Sequence, residues 1–306
     1  MYRRSLLGLI LATGLSLPFS AHPIETPQKV SRFTWKIADE RFGGFSGLEI
    51  EPDGIGFLAL SDRGFFLDGR FLRDADGNIT GIEPGAIVAL KPEAGKQWPR
   101  WGVDSEGLAV DPDGTIYVST EGIHTVFRFA NTGTPPVALV KPHLFDRLMS
   151  NSSLESLAIG PDGALYTLPE RSGNVSRPFP VFRYQNGAWD SPYSLPRLDE
   201  FLPVGLDFGP DGAVYLLERQ FSVIRGFSSR VRRFELGNKQ VLTGEVIFES
   251  SVGEYGNLEG ITAWRDSAGR IRLTLISDDN FNFLQSTEIV EYVLPNDRVA
   301  PMAKSR

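Results

Sequence analysis

The pattern of hydrophobic and polar residues along this chain contains one segment that is repeated five times. Each copy opens on a small and an aliphatic residue, turns at an Asp six residues after the opening residue, and continues into a β-rich run. The five turns are Pro52-Asp53-Gly54, Pro112-Asp113-Gly114, Pro161-Asp162-Gly163, Pro210-Asp211-Gly212 and Asp266 to Gly269. A repeat of about 50 residues built from short strands and tight turns is typical of a β-propeller. The pattern therefore predicts an all-β fold with one blade per repeat.

The number of blades and the closure of the ring depend on segments outside the repeat. Ser31 to Ala38 has the period-two alternation of a strand and precedes the first repeat. Pairing of this N-terminal strand with the last repeat would close the ring and protect two edge strands. Gly64 to Gly85 has room for a sixth, degenerate blade, so we expect five or six blades. Third strands are expected at Ala86 to Leu90, Val181 to Tyr184, Arg230 to Phe234 and Glu288 to Val293.

The N-terminus has the features of an export signal. Arg3 and Arg4 precede the apolar run Leu6 to Leu17, and cleavage is expected near Ala21. The paired arginines fit a twin-arginine signal or an ordinary Sec signal, and an uncleaved membrane anchor is the alternative. Residues 1–21 are thus interpreted as a signal, 22–295 as one propeller domain, and 296–306 as a disordered tail. We expect a periplasmic or secreted protein without a stable membrane span after cleavage.

Composition narrows the possible chemistry. The chain has no cysteine, which excludes disulfides, thiolate metal sites and a Cys nucleophile. It has three histidines. The segment Gly44-Phe45-Ser46-Gly47-Leu48 lacks the final Gly of a serine-hydrolase elbow. The net charge of -7 argues against a nucleic-acid partner, and loss of Arg3 and Arg4 makes the charge more negative.

Acidic residues recur at two positions of the repeat that share one face of a propeller. One position directly precedes the small residue, and the other follows the second strand. The carboxylates at these positions are Glu106, Glu155, Glu259, Asp62, Glu121, Glu170, Glu218, Asp278 and Asp279. Arg63, Arg171 and Arg219 stand among them, and Asn280 adds a neutral oxygen.

Two interpretations of this acidic set remain open. In the first, the carboxylates are ordinary partners of neighbouring arginines in ion pairs between blades. Alternatively, like charges brought so close repel one another, and a bound cation would hold them together. Oxygen ligands without thiols favour Ca²⁺ or Mg²⁺ over zinc or copper.

The same residues resemble the bacterial phytase-like proteins, often labelled "esterase-like activity of phytase". The resemblance extends over Phe42 to Leu294. The motifs that carry it are Ser61-Asp62-Arg63-Gly64, Asp104-Ser105-Glu106-Gly107, Ser153-Leu154-Glu155-Ser156-Leu157, Leu217-Glu218-Arg219, Asn257-Leu258-Glu259-Gly260 and Ser277-Asp278-Asp279-Asn280-Phe281-Asn282. The family resemblance implies a β-propeller and phosphoester hydrolysis of a small-molecule substrate.

The resemblance also implies roles for particular residues. The metal ligands for Ca²⁺ or Mg²⁺ would be Asp62, Glu106, Glu155, Glu259, Asp278, Asp279 and Asn280. The residues that hold phosphate or orient water would be Arg63, Arg171, Arg219, Glu170 and Glu218. A bound cation would polarise the phosphoryl group and lower the pKa of a water molecule. Two alternatives from other classes remain: a metal-dependent lactonase or esterase, and a non-catalytic binding module.

Overall fold

The computed structural model describes residues 26–99, 103–148, 154–174 and 176–295. The predicted signal segment and the predicted C-terminal tail lie outside these residues. Within the described ranges, no helical segment has the length and apolar character needed to cross a bilayer. The single helical element that is described is a 3₁₀ helix, His143–Arg147, in a long connection between two blades.

Twenty strands form five antiparallel sheets of four strands each. The chain enters through β1 (Gln28–Trp35). The first blade consists of β2 (Phe45–Ile50), β3 (Gly56–Ser61), β4 (Phe65–Arg73) and β5 (Ile79–Ala89). The second consists of β6 (Ser105–Val110), β7 (Ile116–Thr120), β8 (Thr125–Phe129) and β9 (Val137–Ala138). The third consists of β10 (Leu154–Ile159), β11 (Leu165–Pro169), β12 (Phe179–Gln185) and β13 (Ala188–Leu195).

The last two blades complete the ring. The fourth consists of β14 (Leu202–Phe208), β15 (Val214–Ser222), β16 (Gly226–Phe234) and β17 (Gly244–Glu249). The fifth consists of β18 (Asn257–Arg265), β19 (Ile271–Asp278) and β20 (Thr287–Val293), with β1 as its outermost strand. β1 pairs antiparallel with β20 over seven residue pairs, which confirms the predicted closure by an N-terminal strand. Five blades are therefore shown.

The prediction of a possible sixth blade is wrong. Gly64 to Gly85 forms β4 and most of β5, which pair as the third and fourth strands of the first blade. Ala86 to Leu90, expected as a third strand, belongs instead to the end of β5 and the residue after it. The misassignment arose because these two strands are longer than their counterparts, so one hairpin resembled a separate repeat.

The innermost strand of every blade carries an irregularity at the same place. The pairing with the second strand shifts by a residue between Phe45 and Gly47, and likewise between Leu258 and Gly260. Equivalent shifts occur in the other three blades. A β-bulge leaves one residue unpaired and redirects its side chain. The bulge positions therefore direct Glu106, Glu155 and Glu259 out of the regular ladder at one end of the ring axis.

The small residue that opens each repeat lets five innermost strands meet at the axis. A Cβ atom on Gly107 would lie 2.6 Å from the backbone nitrogen of Leu157 in the next blade. A Cβ atom on Gly205 would lie 2.5 Å from the carbonyl oxygen of Glu259. Neighbouring innermost strands thus touch through backbone atoms, and the axis is almost filled directly below the bulges.

This close approach predicts a specific stability effect. Gly107→Ala is expected to lower the free energy of unfolding by about 1–3 kcal/mol, because the new methyl group overlaps the next blade. Gly237→Ala is the matched control, since nothing lies within 4 Å of a Cβ atom there. Urea unfolding of both variants measures the difference. Equal stabilities of the two variants would contradict the close packing at the axis.

Candidate functional site

A cavity of about 540 Å³ lies at the end of the axis where the bulged residues project. Its floor is formed by the small residues that close the axis. The side chains that line it are predominantly carboxylates, with two arginines and an amide. They are Asp62, Glu106, Glu121, Glu155, Glu170, Arg171, Arg219, Glu259, Asp278 and Asn280.

Two structural positions supply these carboxylates. Glu106, Glu155 and Glu259 occupy bulges on the innermost strands of three blades. Glu170 follows β11 directly, and Asp278 is the last residue of β19. The beginnings of first strands and the ends of second strands meet at one face, so residues far apart in sequence surround one cavity.

Three carboxylates of the second blade form the tightest group. One oxygen each from Asp104, Glu106 and Glu121 lie within 4.8 Å of one another. The charge of Glu121 also acts on Glu155 of the next blade, and both side chains line the same cavity. Like charges this close repel one another, so full ionisation of the cluster is unfavourable without a cation.

Burial and mutual repulsion raise the pKa values of these acids. Burial, followed by the charge of Glu155, raises the pKa of Glu106 well above its usual range. Burial, followed by the charge of Glu170, does the same for the pKa of Glu155. Burial and the nearby Asp278 raise the pKa of Asp62 to about 7. Ionising all of these carboxyl groups together is therefore unfavourable, because burial removes the water that would stabilise their charges.

Arg219 offsets part of this charge. Its guanidinium is paired with Glu259, lies 2.5 Å from Asn257 Oδ1, and lies 3.6 Å from Glu170 Oε1. Burial raises the pKa of Glu259 to about 7, although Arg219 opposes that rise. Arg171 contacts Glu170 through Nε at 3.2 Å and keeps about half of its side chain exposed. Arg219, which is partly buried, thus pairs with carboxylates of two blades, and the more exposed Arg171 lies at the edge of the cavity.

The donor set suits a hard divalent cation. Every ligand in the Asp104–Glu106–Glu121 group offers oxygen, and Glu155 adds a fourth carboxylate beside it. Ca²⁺ and Mg²⁺ prefer oxygen ligands, and carboxylates in particular. The raised pKa values of Glu106 and Glu121 show that burial and neighbouring carboxylates destabilise their ionised forms. The residues present therefore fit the predicted cation.

Glu218 lies apart from the cavity. It is fully buried inside the fourth blade and accepts hydrogen bonds from Arg230 Nε and Arg232 Nε, each at 2.9 Å. The expected role in orienting water does not match this position, because both oxygens face arginines rather than the cavity. The residue is placed there because β15 continues to Ser222, so its second-strand position is internal to the sheet.

Asp279 and Arg63 also lie outside the lining of the cavity. Asp279 accepts hydrogen bonds from the backbone N–H groups of Gly44 and Phe281, both at 3.0 Å, which joins the first and last blades. Arg63 stacks on the ring of Phe281, 3.2 Å from its centroid. Both residues support the loops around Asp62, and neither faces the carboxylate cluster.

One residue of the site, Asp104, had no assigned role at the level of sequence. Asp104 precedes Glu106 by two positions, a spacing that places both side chains on one side of an extended segment. Asn257 holds the same position in the fifth blade and donates to Glu259 at 2.8 Å and to Asp278 at 3.3 Å. A polar residue two positions before the bulge was the signal that would have found Asp104.

Solved structures with a similar fold have low sequence identity to this chain. The gluconolactonase XC5397 from Xanthomonas campestris is 17% identical, with 78% of this chain and 68% of that chain covered and a TM-score of 0.42. An aldose sugar dehydrogenase from Streptomyces coelicolor is 14% identical, with 86% and 98% covered and a TM-score of 0.47. Virginiamycin B lyase from Staphylococcus aureus is 12% identical, with 86% and 98% covered and a TM-score of 0.43. Likenesses this distant carry no argument about activity.

Sequence families give a more specific result. No curated protein sequence matches the chain. The phytase-like family, described as "Esterase-like activity of phytase", matches residues 40–281. The matched region contains every carboxylate of the cavity and all five innermost strands, which confirms the resemblance seen in the motifs. The chain therefore belongs to the phytase-like family.

Proposed function

We propose that this chain is an exported hydrolase that cleaves phosphoesters of small molecules with the help of a divalent cation, Ca²⁺ or Mg²⁺. The observation that carries the proposal is the convergence of Asp104, Glu106 and Glu121 within 4.8 Å, beside two arginines in one cavity. Family membership supports a reaction at an ester bond. The N-terminal segment supports export, which fractionation of expressing cells would check.

The carboxylates would act as a rigid cation site. Asp104, Glu106, Glu121 and Glu155 would provide the ligands, because their oxygens already lie together and their ionised forms repel. A cation bound there supplies a Lewis acid and lowers the pKa of a water molecule. The residues belong to two adjacent blades whose innermost strands touch, so their geometry is fixed before binding.

The arginines would hold the phosphate. Arg171 is half exposed at the edge of the cavity, and its planar guanidinium suits two oxygens of one phosphate group. Arg219 is held by Glu259 and Asn257 and is buried among carboxylates. Its role is therefore to fix the ring and to add positive potential next to Arg171.

Glu170 would act as the general base. Its oxygens lie between the two arginines, 3.2 Å from Arg171 Nε and 3.6 Å from Arg219 Nη2. A carboxylate at this position can orient a water molecule toward phosphate oxygens held by Arg171 and accept its proton. Asp62, Asp278 and Asn280 complete the far wall of the cavity and would shape access for the substrate.

Hydrolysis assays with purified mature protein would test the proposal. We expect turnover of an aryl phosphomonoester that is abolished by EDTA and restored by Ca²⁺ or Mg²⁺. Glu106→Gln keeps the side-chain shape but removes one ligand charge, so we expect the cation concentration for half-maximal rate to rise about tenfold or more.

Glu83→Gln is the matched control for this measurement, because Glu83 is exposed on an outer strand of the first blade. It should leave the cation dependence unchanged. Cleavage of a carboxylic ester or lactone without cleavage of any phosphoester would favour the esterase or lactonase alternative. Absence of turnover with every substrate would favour a binding module.

A further inference from the structure

A second and larger cavity adjoins the acidic one. It has a volume of about 910 Å³ and lies between the loops of the third and fourth blades. Glu170, Arg171 and Arg219 line both cavities. A molecule bound at the carboxylate cluster can therefore extend directly into this groove, with the two arginines at the junction.

One side of the groove is aromatic. Phe221 and Phe227 face each other across the paired strands β15 and β16, with ring centroids 4.8 Å apart. Phe221 is 59% exposed although it is a large apolar side chain on a strand. Leu202 lies on the same lining. An accessible aromatic pair beside a polar cavity gives an apolar body a surface on which to pack.

The other side of the groove is cationic. Arg197 lies over the ring of Phe179, 4.3 Å from its centroid, and donates to the carbonyl oxygen of Arg177 at 3.2 Å. Longer contacts of 3.4 Å join it to Ser172 Oγ. In the part of the chain that the structure describes, no ion pair joins Arg197 to a carboxylate. Burial, followed by the charge of Arg171, lowers the pKa of Arg197, while Glu170 and Glu218 oppose the shift. A bound anion would give the guanidinium of Arg197 the charged partner that it lacks among the described residues.

The carboxylates that line the groove have partners other than Arg197. Asp199 lies 3.2 Å from Arg230 Nη1. Glu200 accepts a hydrogen bond from Gln220 Nε2 at 3.2 Å. Glu170 pairs with Arg171 and Arg219. Arg197 is therefore the guanidinium of the groove that has no ion-pair partner among the described residues.

We propose that this groove binds the part of the substrate that leaves, and that this leaving group combines a ring-sized apolar body with an anionic group. The body packs on Phe221 and Phe227, and the anion lies against Arg197, while Arg171 at the junction holds the phosphate. The proposal rests on the proposed function, since it assigns the phosphoester bond to the acidic cavity. It predicts a preference for aryl phosphoesters with a distal carboxylate over small alkyl phosphoesters.

The reaction that follows is balanced with water alone. For 4-carboxyphenyl phosphate, water adds to phosphorus, the bond between phosphorus and the phenolic oxygen breaks, and 4-hydroxybenzoate leaves after taking up a proton. The products are inorganic phosphate and 4-hydroxybenzoate. The second product is the molecule that the groove should bind without the phosphate and without a cation.

Binding of 4-hydroxybenzoate to the full-length mature protein in EDTA, measured by calorimetry or by NMR titration, tests the groove directly. We expect it to bind about tenfold tighter than phenol, which lacks the anion, or acetate, which lacks the ring. Phe221→Ala and Arg197→Gln should each weaken binding about fivefold or more. Arg197→Lys is the second arginine variant, because it keeps the positive charge at this position and should retain more of the binding than Arg197→Gln.

Phe283→Ala is the matched control, since Phe283 is 93% exposed and lies outside the groove. It should bind 4-hydroxybenzoate like the unmodified protein. Absence of binding, or binding that Phe221→Ala and both arginine variants leave unchanged, would overturn the groove proposal even if phosphoesters are cleaved. Variant-sensitive binding without any phosphoester turnover would support the groove and refute the proposed reaction.

Discussion

Replacement of Glu218 by alanine is expected to lower the free energy of unfolding by about 3–5 kcal/mol, the usual effect of removing one partner of a buried ion pair. Glu218 is 0% exposed, and its partners Arg230 and Arg232 are 0% and 2% exposed. The variant would leave two buried guanidinium groups without their shared carboxylate. No water reaches them to replace the lost hydrogen bonds.

The remaining contacts of the arginines cannot compensate for this loss. Arg230 donates to the carbonyl oxygen of Leu198 at 2.6 Å and reaches Asp199 at 3.2 Å. Arg232 donates to the carbonyl oxygen of Pro196 at 2.9 Å. Arg230 also lies 3.7 Å from Glu249. Two neutral carbonyl oxygens and two exposed carboxylates, Asp199 and Glu249, balance only part of the two buried charges. The segment before the fourth blade, which these carbonyl groups belong to, should loosen as well.

Chemical unfolding of Glu218→Ala measures the effect, with Glu235→Ala as its control. Glu235 pairs with Arg233 at 3.0 Å in the same blade, but its side chain is 75% exposed. An exposed pair of this kind contributes about 0–1 kcal/mol. A Glu218 variant that keeps its stability but loses activity would show that this carboxylate acts in catalysis after all.

The cation-free protein is expected to lose stability as the pH rises from about 5 to 8, and Ca²⁺ is expected to restore it. The pKa of Asp62 and that of Glu121 are raised to about 7, mainly by burial. Burial and neighbouring carboxylates also raise the pKa of Glu106 and that of Glu155 well above the usual range. In this pH range the folded protein keeps protons that the unfolded chain has released.

The sign follows from proton linkage. Stability falls with rising pH wherever the folded state binds more protons than the unfolded state. The loss begins near the unfolded pKa of a carboxyl group, about 4, and continues through the raised folded values. Acids with lowered pKa values, such as Asp39 and Asp74, act in the opposite sense but below this range. Burial lowers the pKa of His124, so this residue makes stability rise with pH. It is a single group, whereas several carboxyl groups act in the other direction.

Thermal unfolding at several pH values, with EDTA and with added Ca²⁺, measures both effects. We expect the melting temperature in EDTA to fall by roughly 5 °C or more between pH 5 and 8. Ca²⁺ at about 100 times its dissociation constant should then add about 2.7 kcal/mol at pH 8. The gain should be smaller at pH 5, where protons already occupy the carboxylates.

Glu106→Gln and Glu83→Gln separate this explanation from a general effect of pH. The first variant removes a buried charge from the cluster, so it should flatten the pH dependence in EDTA and weaken the response to Ca²⁺. The second removes an exposed charge and should change neither. A melting temperature that rises with pH in EDTA would show that the carboxylates are already paired, as in an ordinary network of ion pairs.

The two predictions assign different roles to acids that look alike in sequence. Glu170 and Glu218 both stand at the end of a second strand and are both followed by arginine. The structure exposes Glu170 to the cavity, whereas Glu218 faces two arginines of the neighbouring strand β16. β11 ends just before Glu170, so this carboxylate points into the cavity. β15 continues past Glu218 to Ser222, so Glu218 stays inside the sheet beside β16.

The sequence by itself determined the repeating architecture. The small residue, the Asp of the turn and the β-rich run recur at fixed spacing, and local turn chemistry with period-two patterning is enough to define strands. It also determined that Glu106, Glu155 and Glu259 share one face, because equivalent repeat positions are equivalent in space. The closing strand β1 was predicted for the same reason, since a ring with open edges is unfavourable.

Only the tertiary structure decided which carboxylates meet and which are neutralised. Three features depend on contacts that the one-dimensional pattern does not specify. They are the group of Asp104, Glu106 and Glu121, the position of Arg219 between Glu170 and Glu259, and the groove bordered by Arg197 and Phe221. Strand lengths beyond the common repeat, as in β4, β5 and β15, also decided the blade count and the burial of Glu218. Charge pairing and burial depend on three-dimensional distance, and a one-dimensional pattern specifies distance only within a blade.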